Sequence, residues 1–124
     1  MKHPQRLWIG SALLALASCR DKQEHSAARS TGGDPSRGGA AIGRYGCASC
    51  HTIPGIRGAN ALVGPPLDRV GSRTYIAGVM ANSPQNMMRW LRDPPGVDPL
   101  TAMPNLHVTE ADARDIASFL ATLR

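Results

Sequence analysis

The pentapeptide Cys47-Ala48-Ser49-Cys50-His51 constrains this chain more than any other feature. Two thiols three positions apart, followed at once by an imidazole, suit only a few kinds of chemistry. A thioredoxin-like redox pair needs a strand before it and a βαβ setting. The residues before Cys47 have no β-branched run and are punctuated by Gly39, Gly43 and Gly46. A structural zinc site needs four ligands. There is no second C-x-x-C, and beyond the leader His25 and His107 are the remaining histidines. The spacing does suit covalent haem attachment: two thiols add to the two vinyl groups along one haem edge. The next residue then places a neutral imidazole nitrogen beside the iron.

The N-terminal residues read as an address. Lys2 and Arg6 precede an apolar, small-residue stretch from Leu7 to Ala17, the charged and hydrophobic regions of an export signal. The stretch is too short to cross a bilayer, which takes about 20 residues. It gives way abruptly to Arg20, Asp21, Lys22, Gln23 and Glu24. Export agrees with haem attachment, which takes place outside the cytoplasm. Leu16-Ala17-Ser18-Cys19 resembles the lipobox of bacterial lipoproteins. That resemblance implies a signal peptide over residues 1–18, cleavage before Cys19, and acylation of Cys19. Ordinary secretory cleavage nearby would instead leave Cys19 as a free thiol. Arg20 stands where Asp marks inner-membrane retention in Gram-negative lipoproteins, so the resemblance favours the outer membrane there. Cys19 and residues 20–37, polar and without apolar periodicity, are expected to form a flexible tether averaging about 25 Å end to end.

Residues 38–124 are expected to form one all-α domain. Asp34 and Pro35 suit the N-cap and first position of a helix over about 35–46. Gly39 and Gly43 lie four apart on one face, which suits close approach by a second helix. A C-terminal helix fits as that partner: Thr109 suits its N-cap, Asp112 follows three residues on, and Ala113, Ile116, Leu120 and Leu123 form an apolar stripe beside Phe119. A helix over about 74–81 would carry Tyr75, Ile76, Val79 and Met80. Another would open at Ser83-Pro84 and run to about Arg92. Residues 93–108, with Pro94, Pro95, Pro99 and Pro104, read as a long loop, and such loops usually serve function. Met103 lies within it, and a proline-stiffened loop suits a thioether offered to haem iron. Met80, Met87 and Met88 fall at helical spacings typical of core filler. Met87, Met88 and His107 are the competing sixth ligands.

In this order of features, residues 39–124 resemble class I cytochrome c. The resemblance implies the cytochrome c fold, with three to five short helices wrapped around one covalently bound haem c. It implies His51 and Met103 as axial ligands. Pro65, in Gly64-Pro65-Pro66-Leu67, matches the proline whose carbonyl accepts the other ring N–H of the ligating histidine. Arg73 matches an arginine beside a haem propionate, against the plainer reading of a surface arginine. Gly39 and Phe119 match the crossing of the first and last helices. Trp90 stands where the family often has Tyr near the Met ligand. The segment from Ser83 to Arg124 particularly resembles cytochrome c domains fused to or serving terminal oxidases.

The function implied is one-electron transfer on the periplasmic or extracytoplasmic side by a lipid-anchored monomer that is not an enzyme. Its partners are a redox donor, an acceptor such as a terminal oxidase, and the membrane. The rival readings are a haem subunit of a larger oxidoreductase complex, and an open-site haem peroxidase or sensor. The formal charge of +5 includes Lys2 and Arg6 of the address. No run of five like charges and no basic stripe with interleaved aromatics occurs, which argues against nucleic acid as a partner.

Overall fold

A computed structural model describes residues 8–124, with side chains from residue 18 onward. The expected export signal thus lies almost wholly outside the described side chains. Five helices account for about half of the described residues: α1 (Trp8–Thr31), α2 (Pro35–Arg44), α3 (Pro84–Arg92), the single turn α4 (Pro94–Val97) and α5 (Glu110–Thr122). Among the described residues no helix is long and apolar enough to cross a membrane. The all-α expectation holds, with one small addition described below.

Helices α2 and α5 form the central pair, and their crossing is set by backbone contact. A Cβ on Gly38 would fall on the main-chain carbonyl of Asp115. One on Gly33 would strike the carbonyl of Arg114. A Cβ on Gly39 would lie 3.4 Å from the Phe119 ring, so this glycine sits against Phe119 as the helix-crossing expectation required. Gly43 meets nothing, so the glycine that matters beside Gly39 is its immediate neighbour Gly38, not the one a turn later. Ile42 and Ile116, each 1% exposed, fill the space beside the contact. Trp90, Leu91 and Met87 from α3, with Ile53, Val70 and Ile76 from the loops, complete one continuous core.

Polar groups lock the same crossing. The Asp34 side chain caps α2 by accepting from Arg37 N. Asp115, nearly buried, accepts from Asp34 N at 2.8 Å and from Arg37 Nε and Nη2 at 2.7 and 3.0 Å. Arg37 above all, with the Asp34 N–H, holds the Asp115 carboxyl below its ordinary range against the opposing effect of burial. Near the start of α5, Asp112 accepts from Tyr45 Oη at 2.8 Å, Thr109 Oγ1 at 3.0 Å and Arg44 Nη2 at 2.9 Å. Thr109 caps α5 as expected, accepting from Asp112 N.

Two segments depart from expectation. Residues 20–31 are not a loose tether. They form the C-terminal half of α1, docked on α5 through Gln23 Nε2, which donates to Thr122 O at 2.5 Å, and through Ala27, 3% exposed. The docking face is built from small and polar residues spaced four apart, so no apolar period betrays it. The helix stops at Gly32, whose φ of 72° and N–H bond to Ala28 O end the coil. Residues 74–81 are not helical either. Tyr75–Ile76 and Met80–Ala81 pair as a minimal antiparallel hairpin. Ala77 and Gly78 at its tip have φ of 50° and 75°, the left-handed values of a type I′ turn. The apolar positions that suggested a helix instead place Ile76 in the core, 4% exposed, and leave Tyr75 and Val79 in solvent.

Two predictions follow from the crossing. Gly38→Ala should cost about 3 kcal/mol or prevent folding, because the clash is with backbone that cannot rotate away. Gly43→Ala, in open space, should instead gain up to about 1 kcal/mol from helix propensity; urea unfolding of both variants checks the contrast. Asp115→Asn should lower stability at pH 7. Because the folded carboxyl titrates below its ordinary value, its contribution is complete at neutral pH. It is lost as pH falls below about 4, so the variant and the parent should converge there.

Candidate haem site

The site begins where α2 ends. Gly46, with φ of 71°, turns the chain out of the helix into a 3-10 turn over Cys47–Ser49. Within that turn Cys50 N and His51 N both donate to Cys47 O, at 3.2 and 3.0 Å. Cys47, Cys50 and His51 are therefore fixed by one carbonyl, and all three are half-buried. Both cysteines are free thiols. Burial pushes the Cys47 thiol above its ordinary pKa, and the neighbouring Cys50 adds to the rise, so it stays protonated at neutral pH.

The following residues fold back over the motif. Thr52 bridges to Asn60, and its hydroxyl donates to Ala61 O at 2.9 Å. Gly64 N donates to Cys50 O at 2.7 Å, and Leu67 N to Thr52 O at 2.9 Å. Ile53, 2% exposed, pins the fold to the core. This return path brings Pro65 O within 2.7 Å of His51 Nδ1. A carbonyl only accepts, so Nδ1 carries the proton, and in the neutral ring the lone pair is on Nε2. Gly64 makes the approach possible: a Cβ there would lie 2.5 Å from His51 Cε1 and 2.8 Å from Nδ1.

Arg73 supports the same loop from behind. Its Nη2 donates to Pro66 O at 2.6 Å and Asp68 O at 2.8 Å, and the guanidinium lies 3.8 Å from the Asp68 carboxylate. Trp90 sits in the core, 8% exposed. Met103 is half-buried against the core, and its N–H donates to Thr101 Oγ1 at 3.1 Å. Its loop is pinned by Asn105 Nδ2 donating to Asp93 Oδ1 at 3.1 Å. Met87 is core filler, 6% exposed, while His107 is exposed on a left-handed turn with φ of 56°. Thus Cys47, Cys50, His51 and Pro65 converge directly. Arg73 reaches them through the Pro66 carbonyl, and Met103 and Trp90 meet them only by way of the shared core. A cleft lined by Met88, Arg92, His107 and Glu110 includes none of these residues.

These groups fit a covalently bound haem. They offer two free thiols one turn apart and an adjacent imidazole whose tautomer is set. Strongly exposed aliphatic side chains lie on the neighbouring loops: Leu62 and Val63 at 80% and Leu100 at 93%. No group of three or more His, Cys, Asp or Glu suited to a metal ion occurs among the described residues. Sequence reasoning missed the part played by Gly64 against the imidazole. Its signal was the Gly-Pro step itself, since glycine before a fixed proline marks close approach. Gly64→Ala should push the His51 ring off Pro65 O. The check is the His51 Nδ1–H proton resonance, which should lose its hydrogen-bonded shift while the fold survives.

The Cytochrome c family profile matches residues 36–124, which include every residue of this site. Cytochrome c oxidase subunit 2 of Bacillus sp. strain PS3 is 32% identical over 90 residues, covering 69% of this chain and 25% of that protein. Cytochrome c oxidase subunit 2 of Alkalihalophilus pseudofirmus is 29% identical over 79 residues, covering 63% of this chain and 22% of that protein. This chain therefore spans about a quarter of the length of these relatives. No solved structure matches it. With the attachment motif, its return loop and the paired helices all inside the matched region, the chain belongs to the cytochrome c family, whose domains transfer electrons through haem.

Proposed function

We propose that the protein is a one-haem electron carrier with His51 and Met103 as axial ligands, working on the extracytoplasmic side of a membrane. The observation that carries this reading is the bond between His51 Nδ1 and Pro65 O, which orients the ring and leaves Nε2 as the nitrogen for the iron. Cys47 and Cys50 would hold the haem through thioether bonds. When bound, the haem supplies a one-electron iron couple, which a thioether ligand and apolar surroundings bias toward the reduced form.

The chain's own residues hold that couple still. The Pro65 carbonyl orients the imidazole, and Arg73 braces the carbonyls that follow it. The Met103 loop is tied through Asp93 and Asn105, so the thioether is offered from a pinned segment. Ligands that barely move keep reorganisation small. With both axial positions filled, no site is left for oxygen or peroxide, which sets this reading apart from a peroxidase or sensor. Arg73 as a propionate partner and Trp90 as a haem neighbour belong to the same reading.

Cys19 is acylated in this reading, which anchors the domain to the membrane as a monomer. The relatives favour a second form of the same function, a haem-bearing partner or subunit of a terminal oxidase.

The test is the visible spectrum of the haem-loaded protein, ferric and ferrous, with and without carbon monoxide. The parent should show the ferric charge-transfer band of a sulfur–iron bond and no carbon monoxide binding. Met103→Ala should lose that band, bind carbon monoxide and fall in reduction potential. A high-spin parent that binds carbon monoxide would make the open-site reading correct.

A further inference from the structure

The segment between Cys19 and the domain is held along its length. Gln23 bonds to Thr122 O, Ala27 is buried, and Gly33 O accepts from Ser118 Oγ at 3.3 Å. The contacts run in opposite senses along the two helices, so α1 lies antiparallel to α5. Cys19 stands one helical turn before Gln23, about 6 Å further along the axis. It therefore emerges, exposed, beyond the C-terminal end of α5. At that end Gly71 N donates to Leu123 O at 2.8 Å, which brings in the 3-10 turn over Val70–Ser72. Lys22, Arg69 and Arg124 are exposed there, and none of them makes an ion pair among the described residues.

The attachment motif lies toward the other end of α5. Tyr45, two residues before Cys47, donates to Asp112 and accepts from Thr109 N at 3.3 Å. The thirteen residues of α5 separate the two ends by about 20 Å.

We propose that residues 20–31 are a docked strut, and that the C-terminal end of α5, with Lys22, Arg69 and Arg124, rests against the anionic headgroups of the bilayer. The strut holds the Cys47–Cys50 end away from the lipid, so a redox partner meets it above the membrane surface. The inference rests on the acylated Cys19 of the preceding section. Each basic side chain held near an anionic surface adds about a five-fold preference for it, and a rigid strut lets the three act together.

The test uses acylated holoprotein in vesicles of phosphatidylcholine with phosphatidylglycerol. Spin labels are placed through Ser72→Cys or Ala111→Cys, both exposed positions, while thioethers protect the native cysteines. The Ser72 label should lie at headgroup depth and the Ala111 label about 15–20 Å further out, following the length of α5. Gln23→Ala and Ala27→Glu, which loosen the strut in different ways, should each bring the two depths together. Arg69→Glu with Arg124→Glu should do so only by removing the dependence on phosphatidylglycerol. Equal depths in the parent, with mass spectrometry showing acyl chains on Cys19, would overturn the strut. A bare Cys19 would overturn the anchor itself and the orientation with it, and the mass distinguishes the two failures.

Discussion

Everything in this fold hangs on one backbone-to-backbone contact, the crossing of α2 over α5 at Gly38. Removal of a single Cβ lets two main chains approach until Ile42 and Ile116 close the space on either side. The approach would be wasteful if the polar groups beside it were stranded. They are not: Asp115 accepts from the backbone and side chain of the opposite helix, and no buried side-chain nitrogen or oxygen among the described residues lacks a partner. The carboxylate therefore registers two helices whose apolar faces alone would allow sliding.

From that crossing the attachment site follows by short steps. Helix α2 delivers Tyr45 to Asp112, which fixes the direction in which the chain leaves toward Cys47. The return loop is then measured by hydrogen bonds from Gly64 to Cys50 and from Leu67 to Thr52. Such bonds set the position of the Pro65 carbonyl more firmly than side-chain packing would, because none of them depends on a rotamer. The imidazole inherits its orientation from main chain at both ends.

Much of this was legible in the sequence, and the reasons differ by element. The attachment motif, the Asp34 and Thr109 caps and the Gly39–Phe119 contact each require particular atoms at a particular spacing, so few alternatives survive. Pro65 was legible only through resemblance, because nothing local says which carbonyl a distant imidazole will find. The helix expected over residues 74–81 failed for a physical reason. Tyr75, Ile76, Val79 and Met80 fit a helical face as well as a hairpin, and the deciding feature is an alanine in a conformation alanine seldom adopts. The docked half of α1 was hidden because its docking rests on Gln23 and Ala27, which no hydropathy pattern selects. Gly43 looked equivalent to Gly39 in sequence, and only the tertiary approach tells them apart.

The partners in the central crossing are 81 residues apart, from Asp34 to Asp115. Closing so long a loop carries an entropic cost that nearby contacts cannot offset in advance. The core is therefore complete only with α5 seated on α2. Cys47, Cys50 and His51 lie within the loop that the crossing closes. The topology thus ties the surroundings of the motif to a contact between distant residues, so a change at the crossing reaches the site without touching it.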